Sequence, residues 1–391
     1  MNDVVGRGLR ILILYSNTGG GHRASAEALR QEFARRDASH RVVLEDILLQ
    51  RAIWPLTESD RFYFWAVSKA PWMWKALYHS VARKEVYTTL HRSLGPIIGP
   101  RIRKLYETLV PDLVVAAHPL LNHLPRRVLR RWERDVGRAA VPFATVITDL
   151  TTFHPAWVDP EVDLITVATE EARASVLELG ARPEQVRLLG LPVRSVFRQI
   201  PRDKPRVREY LGLDPGLPVI LLTGGGQGMG PVERIAVEIA KAHLPGQLVI
   251  ICGRNEALQR RLSQRVWPIP TRVLGFVEDM HLWMAASDVL ITKAGPGTIA
   301  EALICGLPMI LYGYIPGQEE GNVTFVTQRR IGEYIVEPER IARVLGTWLA
   351  QPEAYLAPMS QRARALAHPE ATERIVDALL GIVAERASQP L

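Results

Sequence analysis

Two side chains of this sequence stand where a proton could be transferred. His22 ends the glycine-rich segment Ser16–His22 and begins a helical stretch. An imidazole accepts a hydroxyl proton near neutral pH, and a helix N-terminus lowers its pKa and keeps it neutral. Asp149 is the second candidate, because it follows an apolar run at a strand end. A polar residue at a helix start and an N-cap or turn carboxylate are the simpler interpretations, so both candidates stay open.

Three glycine-rich segments each follow an apolar run and open a helical stretch: Ser16–His22, Gly224–Gly230 and Ala294–Thr298. Glycine lets the backbone approach a ligand closely, and a helix N-terminus offers unpaired N–H groups to a phosphate. Tight strand-to-helix turns also use glycine, so one segment alone is weak evidence. Two of them in the second half indicate a diphosphate site there. None matches a P-loop or a dinucleotide-binding fingerprint.

Polar side chains near the third segment suit a nucleoside and a sugar. Glu301 lies three residues after Thr298, so the pair is either a capping box or leaves the carboxylate to bind a ribose. The segment Gln318–Asn322 is either an array for sugar hydroxyls or a solvated loop. There is no Asp-x-Asp pair near a strand end, and neither a metal nor a cofactor is expected.

Alternating elements must position these groups. Apolar runs typical of buried parallel strands are Arg10–Tyr15, Val42–Leu44, Leu113–Ala117, Phe143–Thr148, Leu164–Ala168, Val219–Leu222, Leu248–Cys252, Val289–Thr292 and Met309–Leu311. Helical stretches lie between them, among them Thr298–Ile304, and Pro201–Pro218 is typical of a linker. The pattern predicts an α/β protein of two doubly wound domains that face each other across a cleft.

Composition and charge agree with a globular chain of two domains. The chain has 391 residues, 47% hydrophobic and 23% charged, with a net charge of +7. Ten basic and three acidic residues lie between Arg51 and Lys104, so this stretch carries the whole excess. The same stretch is rich in Trp, Phe and Tyr, which favours an anionic membrane surface. A helical core with a solvated basic rim explains it equally well, and no motif supports nucleic acid.

Seven stretches carry a specific resemblance: SNTGGGHRASAEAL, VITDLTTFHPAW, GLPVRSVF, GGGQGMGPVERIA, ICGRN, GFVEDM and ITKAGPGTIAEALICGLPMILYGYIPGQEEGN. They run in order from Ser16 to Asn322. On these motifs the chain resembles the monogalactosyldiacylglycerol synthases, among the GT-B glycosyltransferases that include processive diacylglycerol glucosyltransferases. It resembles the lipid II N-acetylglucosaminyltransferase more distantly.

The resemblance implies a GT-B fold of two Rossmann-like domains. We expect an N-terminal acceptor and membrane-binding domain at 1–199 and a UDP-sugar-binding domain at 200–365. The helix of 366–391 is expected to pack back on the first domain.

The resemblance also implies residue roles. His22 is the general base, and backbone groups around Phe276 and Val277 read the uracil. Our own hypothesis is that Asp149 orients His22. Glu301 holds the ribose. The implied donor-binding set is Gly20, Gly21, Arg194, Gly225, Gly226, Gln227, Gly228, Asn255, Phe276, Val277, Gly295, Pro296, Gly297, Thr298, Glu301, Gln318, Glu319 and Asn322. The implied acceptor and membrane set is Trp65, Trp72, Trp74, Arg83, Lys84, Arg92, His154 and Trp157.

The expected reaction is transfer of galactose from UDP-galactose to 1,2-diacylglycerol, with inversion and without a metal. Asn17 and Gln227 depart from the acids expected in this family and leave the donor sugar open. The alternatives are a diacylglycerol glucosyltransferase using UDP-glucose, a nucleotide-sugar 2-epimerase and a non-catalytic membrane-bound nucleotide sensor. With no plastid transit segment in the sequence, a bacterial enzyme is expected, peripheral at the cytoplasmic face of the cell membrane.

Overall fold

The computed structural model describes residues 8–16, 20–47, 63, 65–67, 69–81 and 84–388; among these, the side chains of 71, 81, 84–92 and 94 are not described. The chain forms two compact units. The first unit comprises Met1–Ser195, Pro316–Gln318 and Glu370–Leu391. The second unit comprises Val196–Ile315 and Glu319–Pro369.

The first unit is built on a parallel six-stranded sheet with the strand order β2-β1-β3-β4-β5-β6. Residues of β1 alternate between two apolar clusters, since Leu12 packs in one and Ile13 in the other. A strand buried on both faces needs the continuous apolar run seen in the sequence. The strands are β1 Arg10–Tyr15, β2 Arg41–Asp46, β3 Leu113–Ala116, β4 Phe143–Val146, β5 Leu164–Val167 and β6 Val186–Leu188.

Helices cover both faces of this sheet. They are α1 Gly21–Arg36, α2 Pro71–Val81, α3 Lys84–Leu109, α4 His123–Val136 and α5 Glu170–Glu178. The predicted strand at Phe143–Thr148 is two residues too long, because β4 ends at Val146, although the N–H of Ile147 still bonds the Thr166 carbonyl at 3.1 Å. Thr148 therefore follows the carboxyl end of β4, and its side chain contacts His22 at the start of α1.

The second unit repeats the architecture with the strand order β12-β11-β10-β7-β8-β9, again parallel throughout. Its strands are β7 Val219–Thr223, β8 Gln247–Ile251, β9 Thr271–Leu274, β10 Val289–Lys293, β11 Met309–Gly313 and β12 Gly332–Tyr334. Its helices are α6 Lys204–Tyr210, α7 Val232–Lys241, α8 Glu256–Ser263, α9 Met280–Ala286, α10 Pro296–Cys305, α11 Glu320–Gln328, α12 Pro338–Ala350 and α13 Leu356–Ala365.

The last helix, α14 Ala371–Ala387, belongs to the first unit. Ile375 and Leu379 pack in the apolar cluster that also contains Leu29 of α1. Arg36 reaches across from α1 to Asp377 at 2.9 Å. The apolar stripe of α14 therefore completes one face of the first sheet.

Three short strands were not predicted from the sequence: β6, β9 and β12. Each has only three or four residues and carries polar or exposed positions, so it lacks the long apolar run of a central strand. All three lie at sheet edges. No helix in the described ranges is both long enough and apolar enough to cross a bilayer.

Candidate functional site

The start of α1 presents His22 at the carboxyl edge of the first sheet. Gly20 is the N-cap of this helix and has φ of +80°, a left-handed conformation that glycine adopts without strain. A Cβ at Gly20 or Gly21 would meet no atom of the described residues within 4 Å. Within that part of the chain, the backbone of Gly20 and Gly21 therefore leaves room for a ligand.

A hydrogen bond fixes the ring of His22. Its Nδ1 lies 2.6 Å from Oγ1 of Thr148, which is almost fully buried. When Nδ1 carries the proton and Oγ1 accepts it, Nε2 holds the lone pair that a general base needs. The His22 ring also contacts His118 edge to face at 4.8 Å and Trp157 at 5.9 Å.

Burial decides the charge of this ring. Desolvation lowers the pKa of His22 to about 4, so the imidazole is neutral at physiological pH. The pKa of His118 falls well below its ordinary value, first because of burial and further because His22 and His154 lie nearby. Both imidazoles are therefore uncharged at physiological pH.

Asp149 is placed differently from the expectation that it orients His22. Its Oδ2 accepts a hydrogen bond of 2.7 Å from Nε1 of Trp157. The bond that orients His22 comes from the preceding residue, Thr148. Trp157 is completely buried, so it presents no surface to a lipid and instead holds Asp149 and packs beside His22.

His154 is also buried rather than exposed to an acceptor. Its Nδ1 accepts the N–H of Ala156 at 3.1 Å, which caps the short helix Pro155–Trp157. The ring lies edge to face against Tyr78 at 5.1 Å. Burial lowers the pKa of His154 to about 4, so this histidine is also neutral.

Two of the predicted membrane-facing tryptophans are exposed. Trp72 is 75% exposed on α2 and Trp65 is 53% exposed. Trp74 packs edge to face on Tyr63 at 4.9 Å. Arg83 lies outside the described residues, and the side chains of Lys84 and Arg92 are likewise not described.

In the second unit, the segment Gly224–Gly230 forms a compact loop after β7. The N–H groups of Gly225, Gly228 and Met229 are used within the loop region, bonding Thr223 Oγ1, the Gly225 carbonyl and the Gly224 carbonyl. In the described part of the chain, the N–H groups of Gly226 and Gln227 have no acceptor. These two amides can therefore bind an anion.

Neighbouring side chains brace this loop. A Cβ at Gly228, which has φ of +60°, would overlap the carbonyl oxygen of Cys252. Asn255 caps α8 by accepting the N–H of Leu258 at 3.0 Å, and its Nδ2 donates to the Gly228 carbonyl at 3.3 Å. Asn255 was predicted to bind the donor; in the structure its Oδ1 caps α8 and its Nδ2 supports the glycine loop. The hydroxyl of Tyr312 donates to the Met229 carbonyl at 2.8 Å.

Helix α10 begins two residues before its predicted start. Gly295 is the N-cap and Pro296 is the first helical residue, so Thr298 lies inside the first turn. The capping-box interpretation of Thr298 and Glu301 is therefore wrong, because the helix starts upstream of both. The N–H groups of Gly297 and Thr298 belong to the four that an α-helix leaves unpaired at its N-terminus, and they can bind an anion.

The predicted sugar-binding residues do not lie together in one unit. Glu319 belongs to the second unit, and its Oε1 lies 2.6 Å from Nζ of Lys293. Gln318 belongs to the first unit, where Tyr63 donates to its Oε1 and Thr152 to its carbonyl, both at 3.3 Å. Asn322 is buried and donates to the Ala294 carbonyl at 2.8 Å, so it supports the loop before Gly295.

An exposed aromatic ring stands beside the glycine loop. Phe276 is 52% exposed, and the Arg254 guanidinium lies over its ring at 4.2 Å. A Cβ at Gly226 would lie 3.8 Å from a guanidinium nitrogen of Arg254. Val277 follows in the same loop and is partly exposed. Arg194 lies in the first unit and is partly exposed.

Sequence reasoning missed four of these residues. Thr148, Arg254, Lys293 and Tyr312 were all inside quoted motifs or apolar runs, but none had a role assigned. Only their contacts across the sheet reveal a role. Among the described residues, no group of three or more His, Cys, Asp or Glu could hold a metal ion.

Solved structures with similar architecture confirm the two-domain GT-B fold. MurG of Acinetobacter baumannii matches with a TM-score of 0.59 at 15% identity, covering 95% of this chain and 99% of that chain. The calicheamicin glycosyltransferase CalG4 matches with a TM-score of 0.60 at 17% identity, covering 97% and 100%. At these identities the likeness concerns the fold alone.

Curated relatives match almost the whole chain. Monogalactosyldiacylglycerol synthase 1 of Arabidopsis thaliana is 40% identical over 97% of this chain and 72% of its own length. The synthase of Spinacia oleracea is 38% identical over 96% and 73%. Both are described as chloroplastic. The expected bacterial protein at the cytoplasmic face of the cell membrane is therefore wrong, since these relatives are chloroplastic plant proteins.

Family models match both halves. Residues 22–193 match the monogalactosyldiacylglycerol synthase model. Residues 219–375 match the C-terminal domain of glycosyltransferase family 28. Together with about 40% identity to curated synthases across nearly the whole chain, these matches show that the chain belongs to the monogalactosyldiacylglycerol synthase family of glycosyltransferases.

Proposed function

We infer that this protein transfers galactose from UDP-galactose to the free hydroxyl of 1,2-diacylglycerol, with inversion at the anomeric carbon. The observation that carries this inference is the 38–40% identity to named monogalactosyldiacylglycerol synthases over 96–97% of the chain. The same observation favours galactose over glucose as the donor sugar.

The second unit supplies the groups that the departing UDP requires. Negative charge grows on the diphosphate as the glycosidic bond breaks, and preorganised donors stabilise it. The amides of Gly226 and Gln227 form one such group, and those at the start of α10 form another. Phe276 offers an exposed face beside which a uracil ring can bind.

The first unit supplies the base. Nε2 of His22 takes the proton of the diacylglycerol hydroxyl as its oxygen attacks the anomeric carbon. In the proposed tautomer, Nδ1 donates to Thr148 Oγ1, 2.6 Å away, and Nε2 is left unprotonated. Because burial lowers the pKa of His22 to about 4, the imidazole is in its neutral form at pH 7, which is the form that can accept a proton. Asp149 as the base and Arg194 as a donor-binding residue stay predictions.

Product identification tests the reaction. Purified protein is incubated with diacylglycerol vesicles and either UDP-galactose or UDP-glucose, with and without EDTA. We expect a monogalactosyl lipid from UDP-galactose, at least tenfold less product from UDP-glucose, and no loss with EDTA. A glucolipid as the main product contradicts the inferred donor, and loss of activity with EDTA contradicts metal independence.

The exposed aromatic residues support docking on an anionic lipid surface. Indole rings partition into the membrane interface, and Trp72 exposes three quarters of its surface. Trp72→Ser is expected to weaken binding to vesicles that contain anionic lipid several-fold in a sedimentation assay. Val266→Ser in the second unit, which removes a 93% exposed apolar residue, is the matched control. Equal effects of the two substitutions contradict docking through Trp72.

A further inference from the structure

Lys293 ends a strand at an irregular position. It is the last residue of β10, and the register with β11 shifts between Thr292 and Lys293. Thr292 pairs with Leu311 and Lys293 with Gly313, so the extra residue is Tyr312 on β11, opposite the end of β10. Irregularities of this kind are frequent beside active sites. The Lys293 side chain is 20% exposed, so part of its surface still faces outward.

A buried carboxylate holds the ammonium group in place. Glu319 Oε1 lies 2.6 Å from Lys293 Nζ, and Glu319 Oε2 accepts the N–H of Ile315 at 2.8 Å. The Glu319 side chain is only 7% exposed. Both carboxylate oxygens are thus engaged within the second unit, and little of the side chain is left to meet a ligand.

The held lysine lies between the two glycine segments of the second unit. A Cβ at Gly295 would lie 3.3 Å from Lys293 Nζ, and a Cβ at Gly225 would lie 3.7 Å from Lys293 Cε. The unpaired N–H groups of Gly226 and Gln227 follow Gly225 directly, and α10 starts at Pro296. The ammonium group therefore stands where two sets of anion-binding amides meet.

We propose that Lys293 binds the diphosphate of the UDP-sugar donor and that Glu319 positions Lys293 rather than binding the sugar. A cation between two amide groups completes a site for a doubly charged diphosphate, because each group alone neutralises only part of that charge. Glu319 acts as a positioning residue through its ion pair. This inference rests on the proposed function, since it takes a UDP-sugar as the donor.

Binding of a graded ligand series separates the phosphate from the nucleoside. Uridine, UMP and UDP are titrated calorimetrically into the full-length protein and into Lys293→Gln. We expect Lys293→Gln to weaken UDP binding about 10- to 100-fold and to leave uridine binding unchanged, as for loss of one charge-assisted hydrogen bond. Unchanged UDP affinity, or an equal loss for uridine and UDP, overturns the proposal.

Lys204→Gln is the matched control. Lys204 also forms an ion pair in the second unit, 2.8 Å from Asp288, and Asp288 retains Arg208 at 2.6 Å when the lysine is removed. We expect Lys204→Gln to bind UDP like the unmodified protein. If it weakens UDP binding as much as Lys293→Gln does, loss of any ion pair in this unit explains the result and the proposal fails.

A double-variant comparison tests the role of Glu319. If Glu319 acts through Lys293, the single variant Glu319→Gln has a different UDP affinity from the unmodified protein. The double variant then has the same UDP affinity as Lys293→Gln alone. If Glu319 binds only the sugar, Glu319→Gln leaves UDP affinity unchanged and weakens UDP-galactose alone, which overturns the positioning role. The double variant also removes both charges, so it permits the UDP measurement even if Lys293→Gln alone fails to fold.

The proposed function and this inference fail in distinguishable ways. An unmodified protein that binds neither uridine nor UDP overturns both. An unmodified protein that binds UDP more tightly than uridine, with Lys293→Gln equal to it for both ligands, overturns the role of Lys293 alone.

Discussion

The two units share one architecture, but the charge states of their functional groups differ. In each, a central strand leads through a glycine-rich segment into a helix at the carboxyl edge of a parallel sheet. In the first unit, burial around His22 and His154 lowers both pKa values to about 4 and keeps both rings uncharged. In the second unit, the amide N–H groups of Gly226 and Gln227 have no acceptor among the described residues, and the ammonium group of Lys293 is held by the Glu319 carboxylate. The comparison teaches that burial and pairing, rather than strand order, decide which chemistry an edge supports.

Removal of the His22 imidazole from the first unit should have the largest effect on turnover. His22→Ala is expected to lower turnover about 10²- to 10⁴-fold, the usual worth of a general base, while UDP affinity stays within about twofold. Turnover is measured by glycolipid formation and affinity by calorimetry. His243→Ala, which removes an exposed histidine from the second unit, is the control and should retain full activity. Normal turnover of His22→Ala removes it as the base.

Loss of the orienting hydroxyl should have a smaller effect on the same step. Thr148→Val removes the partner of His22 Nδ1, and we expect kcat to fall about tenfold because the productive tautomer is no longer enforced. Thr166→Val is the matched control, since the Thr166 hydroxyl is buried and has no partner among the described residues. That control should leave kcat unchanged. Equal rates for the two variants contradict an orienting role for Thr148.

A substitution at Glu301 tests nucleoside binding by the second unit. Helix α10 begins before Thr298, so Glu301→Gln should leave the helix intact and act on ribose binding. We expect the unmodified protein to bind uridine about tenfold more tightly than 2′,3′-dideoxyuridine and Glu301→Gln to bind them equally. Glu339→Gln, at an exposed site on α12, should retain the preference. A preserved preference in Glu301→Gln excludes ribose binding by this carboxylate.

Acid should weaken the first unit gradually. The folded pKa values of His22 and His154 are about 4, below the ordinary 6.5, so the unfolded chain binds more protons between these values. The free energy of unfolding of the first unit should therefore fall as pH drops from about 6.5 towards 4 and stay flat above 7. Urea unfolding followed by tryptophan fluorescence measures it. His154→Asn, which keeps an acceptor for the Ala156 N–H, should reduce the slope, and an unchanged slope contradicts this account.

Prediction from the sequence succeeded where a local pattern carries the physics. The runs Arg10–Tyr15 and Met309–Leu311 are apolar because both faces of their strands are covered, and this shows in the sequence without any partner. The glycine-rich segments were likewise recognised from the local sequence alone. Helix α10 was started too late, because the Thr298–Glu301 spacing matches a capping box while Gly295 and Pro296 begin the helix.

Most functional contacts could not be predicted because they join distant positions. Thr148 meets His22 across 126 positions of sequence, and Glu319 meets Lys293 across 26. Trp157 was predicted to contact lipid, but it is completely buried in the first unit, and its indole N–H donates a hydrogen bond to Asp149. The local sequence pattern does not determine whether an aromatic side chain is buried in a core or exposed.

The sequence by itself determined two parallel-sheet halves, the family and the residue types available for proton transfer and anion binding, because these depend on local periodicity and motif. The tertiary structure decided which of those groups are neutral, which are paired and which only support a loop. Charge state and pairing depend on desolvation and on partners brought together by folding, and neither is written at any one position of the chain.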